Sequence, residues 1–199
     1  GRTTVSDPMD EALEQLFFKP RSYSVWQDRP VPDALLHRLY DIVKFGPTTA
    51  NSQPSRFLFV RSAEAKKRLE PAIDAVNIKK TLTAPVVAII AYDMRFFEHL
   101  NVFYPHRPQA RSWYEGKPDL ERTCLRNSSL QGAYFILAAR ALGLDCGPMS
   151  GFKEDVVNRE FFPDGRLRVN FLCALGYHGA EPEYPRFPRH EFGAACQIL

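Results

Sequence analysis

The run Pro85-Val-Val-Ala-Ile-Ile-Ala91 limits the possible folds of this chain more than any other stretch. Residues of both parities are apolar, so an extended conformation would present grease on both faces. The run is also far shorter than the roughly 18 residues needed to cross a bilayer. What remains is a strand, Val86 to Tyr92, inside a sheet covered on both sides. Two further strands, Phe57 to Val60 and Val169 to Leu175, can join it. Helical periodicity supplies the covers. Met9, Leu13, Leu16 and Phe17 follow an Asp7-Pro8 start and stop before Lys19-Pro20. Leu35, Leu36, Leu39, Ile42 and Val43 line one face of a helix that opens at Pro32-Asp33 and ends at Gly46-Pro47.

Asp119 to Leu142 is the longest helix candidate, closed by Gly143, and its small residues permit close packing. Shorter helices are expected at Ala63 to Ala72 and Lys153 to Phe161, with one more turn at Asn77 to Leu82. Helices and strands interleave without a strict βαβ rhythm. The expected fold is therefore α+β, with a mixed central sheet flanked by helices. At 199 residues the whole chain, 1–199, fits one domain.

Two regions escape this pattern. Residues 94–118 are irregular and rich in aromatic residues, the kind of stretch that often serves as a lid or substrate loop. Residues 179–199 begin with Pro182, Pro185 and Pro188 close together, which rules out a helix or a central strand there. Such a tail is extended and must lie on something, and a partner subunit is a reasonable candidate.

Composition excludes several functions. The net charge of +3 is too mild and too dispersed for a nucleic-acid footprint. No apolar run spans a membrane, and Gly1-Arg2-Thr3-Thr4 carries no apolar signal region, so the expectation is a cytoplasmic protein. Cys124, Cys146, Cys173 and Cys196 lie far apart without C-x-x-C, which argues for reduced thiols and against zinc. G-x-G-x-x-G, the P-loop and the G-x-S-x-G elbow are all absent.

Five segments can carry chemistry. Arg21-Ser-Tyr-Ser24 offers a guanidinium fork and hydroxyls to a phosphate. Gly46-Pro-Thr-Thr-Ala-Asn-Ser-Gln-Pro54 is a stiffened polar loop able to hydrogen-bond a heterocycle, or simply a polar helix stop. Asn77 and Lys80 share a face if that turn is helical. Cys146-Gly-Pro-Met-Ser-Gly151 reads as a turn whose amides can approach a ring. Arg186-Phe-Pro-Arg189 adds two cations in the tail, and His106, Arg111, Trp113 and Tyr114 fall in the irregular stretch.

Taken in order, these segments resemble the FMN-dependent nitroreductase family over nearly the whole chain. Lys-Thr-Leu-Thr-Ala-Pro85, Ala-Arg-Ser-Trp113, Arg-Asn-Ser-Ser129, Ala-Leu-Gly-Leu-Asp145 and Gly-Pro-Met-Ser-Gly-Phe152 look like its malonic semialdehyde reductase branch, which acts in pyrimidine catabolism. The resemblance implies a homodimer with two FMN sites at its interface and the tail wrapped around the partner subunit. By the same resemblance Arg21 and Ser22 hold the phosphate and ribityl end, joined by Arg189 and Arg186. Pro47, Thr48, Thr49 and Asn51 reach the flavin from the other subunit. Asn77 and Lys80 meet the pyrimidine edge, and Pro148, Met149, Ser150 and Gly151 lie near N5.

The implied activity takes electrons from NADH or NADPH and reduces malonic semialdehyde to 3-hydroxypropanoate. A broad nitro or quinone reductase and a non-catalytic FMN-binding protein are the alternatives. No acid–base side chain is required, because the chemistry belongs to the flavin. Arg111 and Trp113 are the candidate contacts for a small-molecule acceptor. Two departures stand out: Tyr23 and Val25 occupy the places of a family serine and a family base, and Ser150 stands where many relatives carry an acid.

Overall fold

The structure is a computed structural model that describes residues 7–199. The Gly1–Thr4 stretch read above lies outside them. Helix α1 (Pro8–Leu13) starts where Asp7 accepts a hydrogen bond from the Met9 N–H, and a π turn carries it on through Glu14–Phe18. Then follow α2 (Asp33–Val43), β1 (Ser55–Val60), α3 (Ala63–Leu69), α4 (Ile78–Thr83), β2 (Val86–Asp93), α5 (Leu100–Phe103), α6 (Leu120–Ala141), β3 (Asp145–Met149), α7 (Glu154–Phe161), β4 (Leu167–Gly176) and α8 (Phe192–Ala195).

The strands form one sheet in the order β1-β2-β4-β3. All three pairings are antiparallel, which corrects the expectation of a mixed sheet. The helix-rich interleaving that suggested parallel neighbours belongs to the β2-to-β3 connection, which carries α6. Those two strands do run the same way, but β4 lies between them.

Every residue from Val86 to Ala91 is fully buried. Val86, Ala88 and Ile90 face α2 and α6, packing with Leu36, Leu39, Val43, Phe135 and Ala139. Val87, Ile89 and Ala91 face the other way, toward a layer that includes Leu69, Ala72, Phe152 and Val157. Ile42, expected on the buried face of α2, is instead largely exposed. Residues 94–118 are not structureless. Short helical turns at Phe96–His99, α5 and Ala110–Trp113 build a third apolar cluster of Phe96, Phe97, Leu100 and Ala110 on Tyr92 and Cys124.

A shifted register between β2 and β4 leaves Asn170 as the extra residue of a bulge. Its amide donates to the hydroxyls of Ser128 and Ser129 on α6. At the end of β2, the Asp93 carboxylate is almost fully buried and takes both Arg56 (3.0 Å) and Arg166 (3.1 Å). It also accepts the Arg95 N–H, and so locks the ends of β1, β2 and β4 together. The four cysteines are free thiols, and burial pushes the Cys124 thiol up to about 12.

Asp93→Ala leaves two arginines without their shared counter-ion. It is expected to lower the unfolding free energy by about 2–4 kcal/mol, the partial exposure of both guanidinium groups being allowed for. Asp41→Ala, which breaks the exposed pair with Lys44, should cost under about 0.5 kcal/mol. Urea denaturation of the two variants tests the contrast.

Candidate functional site

Four of the sequence segments converge on β3. The stretch read as a turn at Cys146–Gly151 is a strand up to Met149, lying at the sheet edge and paired with β4. An edge position tolerates Pro148, which cannot donate to a ladder. Asn77 caps the start of α4, and Lys80 lies one turn on, so the two do share a face. The Asn77 amide donates to the Gly151 carbonyl (3.1 Å) and the Lys80 ammonium to the Pro148 carbonyl (3.2 Å). On the other flank the Tyr23 N–H donates to the Cys146 carbonyl, which lays the Arg21–Tyr23 strip beside the same strand. Gly147 makes this convergence possible. A Cβ there would lie 2.4 Å from the Tyr23 carbonyl oxygen and 2.6 Å from Cε of Lys80.

Lys80 is electrostatically unusual. Burial lowers its pKa, and among the described residues no carboxylate pairs with it. The indole N–H of Trp26 donates to the Lys80 carbonyl, which pins the turn from behind. A half-buried ammonium that has only a carbonyl for partner can take an anionic or strongly hydrogen-bonding ligand.

Arginines gather at the adjacent end. Arg21 donates to the Tyr184 carbonyl, and Arg186 donates to those of Phe18 (2.7 Å) and Pro20 (2.8 Å). These bonds tie the root of the tail to the strip carrying Arg21 and the exposed Ser22. Arg189 is held within the tail by the Phe187 carbonyl. Tyr23 is buried and stacked on His178, with centroids 4.0 Å apart. His178 is held by Asp145 (2.6 Å) and Glu181 (3.0 Å). Val25 is exposed, and its carbonyl takes the Gly179 N–H.

The loop carrying Pro47, Thr48, Thr49 and Asn51 is elsewhere. It leads into β1, at the opposite edge from β3, three strand spacings or roughly 14 Å across the sheet. Ala50, Asn51 and Gln53 all have φ between 44° and 50°, the left-handed region. For residues with a Cβ this costs on the order of 1 kcal/mol or more apiece. Asn51 donates to the Phe103 carbonyl, so residues 94–118 adjoin this loop. In that segment both Nε and Nη2 of Arg111 are engaged by Glu115 (2.7 and 2.8 Å), and Trp113 is partly exposed beside Tyr104 and Tyr114.

Sequence reasoning missed two groups. One is the His178–Asp145 pair, whose members are 33 residues apart. The other is the polar stripe Asn127, Gln131 and Tyr134 on α6, whose i, i+4, i+7 spacing was visible. Asn127 accepts from the Thr49 N–H, Gln131 accepts from the Ser55 N–H, and Tyr134 donates to the Pro47 carbonyl.

Comparison with known proteins places the chain. The family model described as the nitroreductase family matches residues 20–177. A Ralstonia nicotianae protein, by name an NADH dehydrogenase/NAD(P)H nitroreductase, is 55% identical over 188 residues, covering 94% of this chain and 96% of that protein. Among solved structures, a Bacillus subtilis nitroreductase superposes with a TM-score of 0.86 at 23% identity, covering 96% of this chain and 100% of that one. An Exiguobacterium sibiricum nitroreductase in complex with FMN gives 0.83 at 23% identity, covering 98% and 99%.

The His178 contacts predict a pH dependence. Burial pulls the imidazole pKa down, but Asp145 and Glu181 outweigh it and hold the pKa above its ordinary value. A raised folded-state pKa stabilises the protein below the unfolded value, and the gain is lost as pH rises through the folded value. His178→Phe keeps an aromatic ring on Tyr23 without the charge. The melting-temperature gap between wild type and variant should be widest below about pH 6.5, the ordinary imidazole value, and should narrow as pH rises above it. A gap that is constant with pH would contradict this.

Proposed function

This chain belongs to the nitroreductase family, and from that premise we propose that it is an FMN-dependent oxidoreductase. NADH or NADPH is the reductant, and a small molecule is the acceptor. The observation that carries this reading is the convergence of Asn77, Lys80, the Arg21 strip and Pro148–Gly151 on the β3 edge.

The residues present fit the cofactor. Gly147 lets the Tyr23 backbone and the Lys80 side chain close on β3, and the half-buried Lys80 supplies a cation that no carboxylate among the described residues pairs with. Arg21, Ser22, Arg186 and Arg189 would hold the phosphate, for which guanidinium forks are well shaped. Asn77 and Lys80 would hold the pyrimidine edge, and Pro148, Met149, Ser150 and Gly151 would lie along the ring. When bound, the flavin supplies the two-electron exchange between nicotinamide and acceptor. Lys80 would favour the state with more negative charge on that edge, and the apolar packing behind β3 keeps water from screening it.

A homodimer completes the site. Pro47, Thr48, Thr49 and Asn51 lie at the far edge of the sheet, so they would serve the flavin of a second copy. Two features support this. Phe45 is 82% exposed near Ile42 and Tyr40, all on the surface that holds the loop. The outer side of β1 is an unpaired strand edge, flanked by cavities of about 460 and 410 Å³ that share Tyr40 and Phe59. The tail is not extended throughout, since α8 interrupts it, but residues 181–191 hold neither helix nor strand, and that stretch from a partner suits such an edge by strand addition.

For the acceptor, the proposal is reduction of malonic semialdehyde to 3-hydroxypropanoate, with Arg111 and Trp113 from the 94–118 segment as its contacts. One observation favours a second reading, a broad nitro or quinone reductase: the Arg111 fork is closed on Glu115 and would have to open to read a carboxylate.

Protein purified without added flavin should be yellow and should bleach anaerobically with NADH or NADPH. Colourless protein that takes up no FMN overturns the proposal. Lys80→Met should weaken FMN binding by about tenfold or more, the loss of one charged hydrogen bond. Steady-state kinetics then decide the acceptor. A kcat/KM for malonic semialdehyde well above those for nitrofurazone and a quinone supports the first reading, and the reverse order supports the second.

A further inference from the structure

Helix α6 grips the loop 47–55 at three points, each through a side chain that leaves the helix on one face. Asn127 Oδ1 accepts the Thr49 N–H at 2.8 Å, and Gln131 Oε1 accepts the Ser55 N–H at 2.8 Å. The Tyr134 hydroxyl donates to the Pro47 carbonyl, also at 2.8 Å. Asn127 and Gln131 are almost entirely buried, at 1% and 4% exposure. Asn127 is itself fixed, because its amide nitrogen donates to the Thr123 carbonyl. Buried amides on a helix are costly unless their bonds are made, and here the bonds go to one loop.

That loop needs holding. Ala50, Asn51 and Gln53, none of them glycine, sit in the left-handed region between the first and last grips. Ser52, 4% exposed, has a buried hydroxyl with no hydrogen-bond partner among the described residues. The loop makes some bonds of its own, from the Asn51 and Ser52 N–H groups to the Thr48 and Thr49 carbonyls and from the Gln53 N–H to the Thr48 hydroxyl, but its three left-handed dihedrals would relax if it were released. The ring of Tyr134 also packs under Gly46, where a Cβ would lie 2.1 Å from the ring.

We propose that Asn127, assisted by Gln131 and Tyr134, is a positioning residue for the cofactor site. It touches neither cofactor nor acceptor. It fixes Thr49, and through it Pro47–Asn51, in the shape that meets the flavin of a second copy. The inference rests on the reading that this loop is the partner-side wall of that site.

The test compares Asn127→Leu, close in volume but without an acceptor, with Asn127→Asp, which keeps the carbonyl acceptor. Full-length protein is followed by amide hydrogen exchange at residues 48–53, with and without saturating FMN. FMN dissociation constants are measured by fluorescence. In Asn127→Leu the loop amides should exchange at least about tenfold faster, while amides of Phe135–Ala139 in the same helix stay protected. FMN should bind about tenfold more weakly, and Asn127→Asp, which keeps the acceptor for Thr49 but loses the donor to Thr123, should recover part of both effects.

Unchanged loop exchange in Asn127→Leu overturns the clamp and leaves the reading of the loop standing. Faster exchange with unchanged FMN affinity overturns the proposal differently, because the loop is then held but does not wall the flavin. If the leucine variant does not fold, Tyr134→Phe removes only the hydroxyl on Pro47 and reads the same two quantities. No change in either then overturns the proposal.

Discussion

Six consecutive apolar residues of β2, Val86 to Ala91, are shielded from water on both faces of the sheet. At about 25 cal/mol per Å² of apolar surface, burying all six on both faces is a large local contribution to stability. The cover on one face is α2 with α6, and on the other α3 with α7. Fixing β2 at the centre leaves β1 and β3 as the two edges, and both edges are where the functional groups stand. The loop entering β1 is placed by this strand directly, the Asp93 N–H donating to the Pro54 carbonyl, and the turn leaving β3 is placed through β4.

The long helix α6 joins the two halves of that arrangement. Its apolar stripe, through Phe135 and Ala139, packs on β2 and β4 from one side. Its polar stripe reaches past the sheet edge to the loop before β1, and Ser128 and Ser129 meet the bulge residue Asn170. One helix thus sets the height of the loop relative to the sheet. The strand order puts the loop before β1 and the β3 edge at opposite sides of the sheet. On the proposed reading these are two half-sites, which a second copy related by a two-fold axis would bring together.

Much of this was readable from residues. The parity of Val86 to Ala91 gave the central strand, and Asp119 to Gly143 bounded α6 to within a residue or so. Asn77 and Lys80 were placed together by spacing alone. What escaped has physical causes. Gly147 and Pro148 are poor strand formers, so Asp145–Met149 reads as a turn until its place at the sheet edge excuses the proline. The 94–118 segment uses helical turns of four residues, too short for a periodic signal, and its apolar cluster forms only against Tyr92 and Cys124. Asn127 and Gln131 look like solvent-facing residues because amides usually are. Tyr23 was legible only as a departure, since its partner His178 is set far off in sequence and near in space.

The distribution of satisfied and unsatisfied groups separates scaffold from site. Asp93 is as buried as any charge in the molecule, and two arginines and a backbone amide answer it. That is how a fold treats a charge it keeps for structure, because an unanswered one would cost several kcal/mol. Lys80 is half-buried with only a carbonyl, Ser52 has a buried hydroxyl with no partner among the described residues, and three residues around Ser52 hold strained dihedrals. Other groups share parts of this: Arg140 Nε is buried without a partner among the described residues, and Lys66 is a half-buried ammonium held only by carbonyls. What sets the loop before β1 apart is that strained dihedrals and an unpartnered buried hydroxyl coincide within four residues, as a segment shaped for a ligand and a second subunit would show.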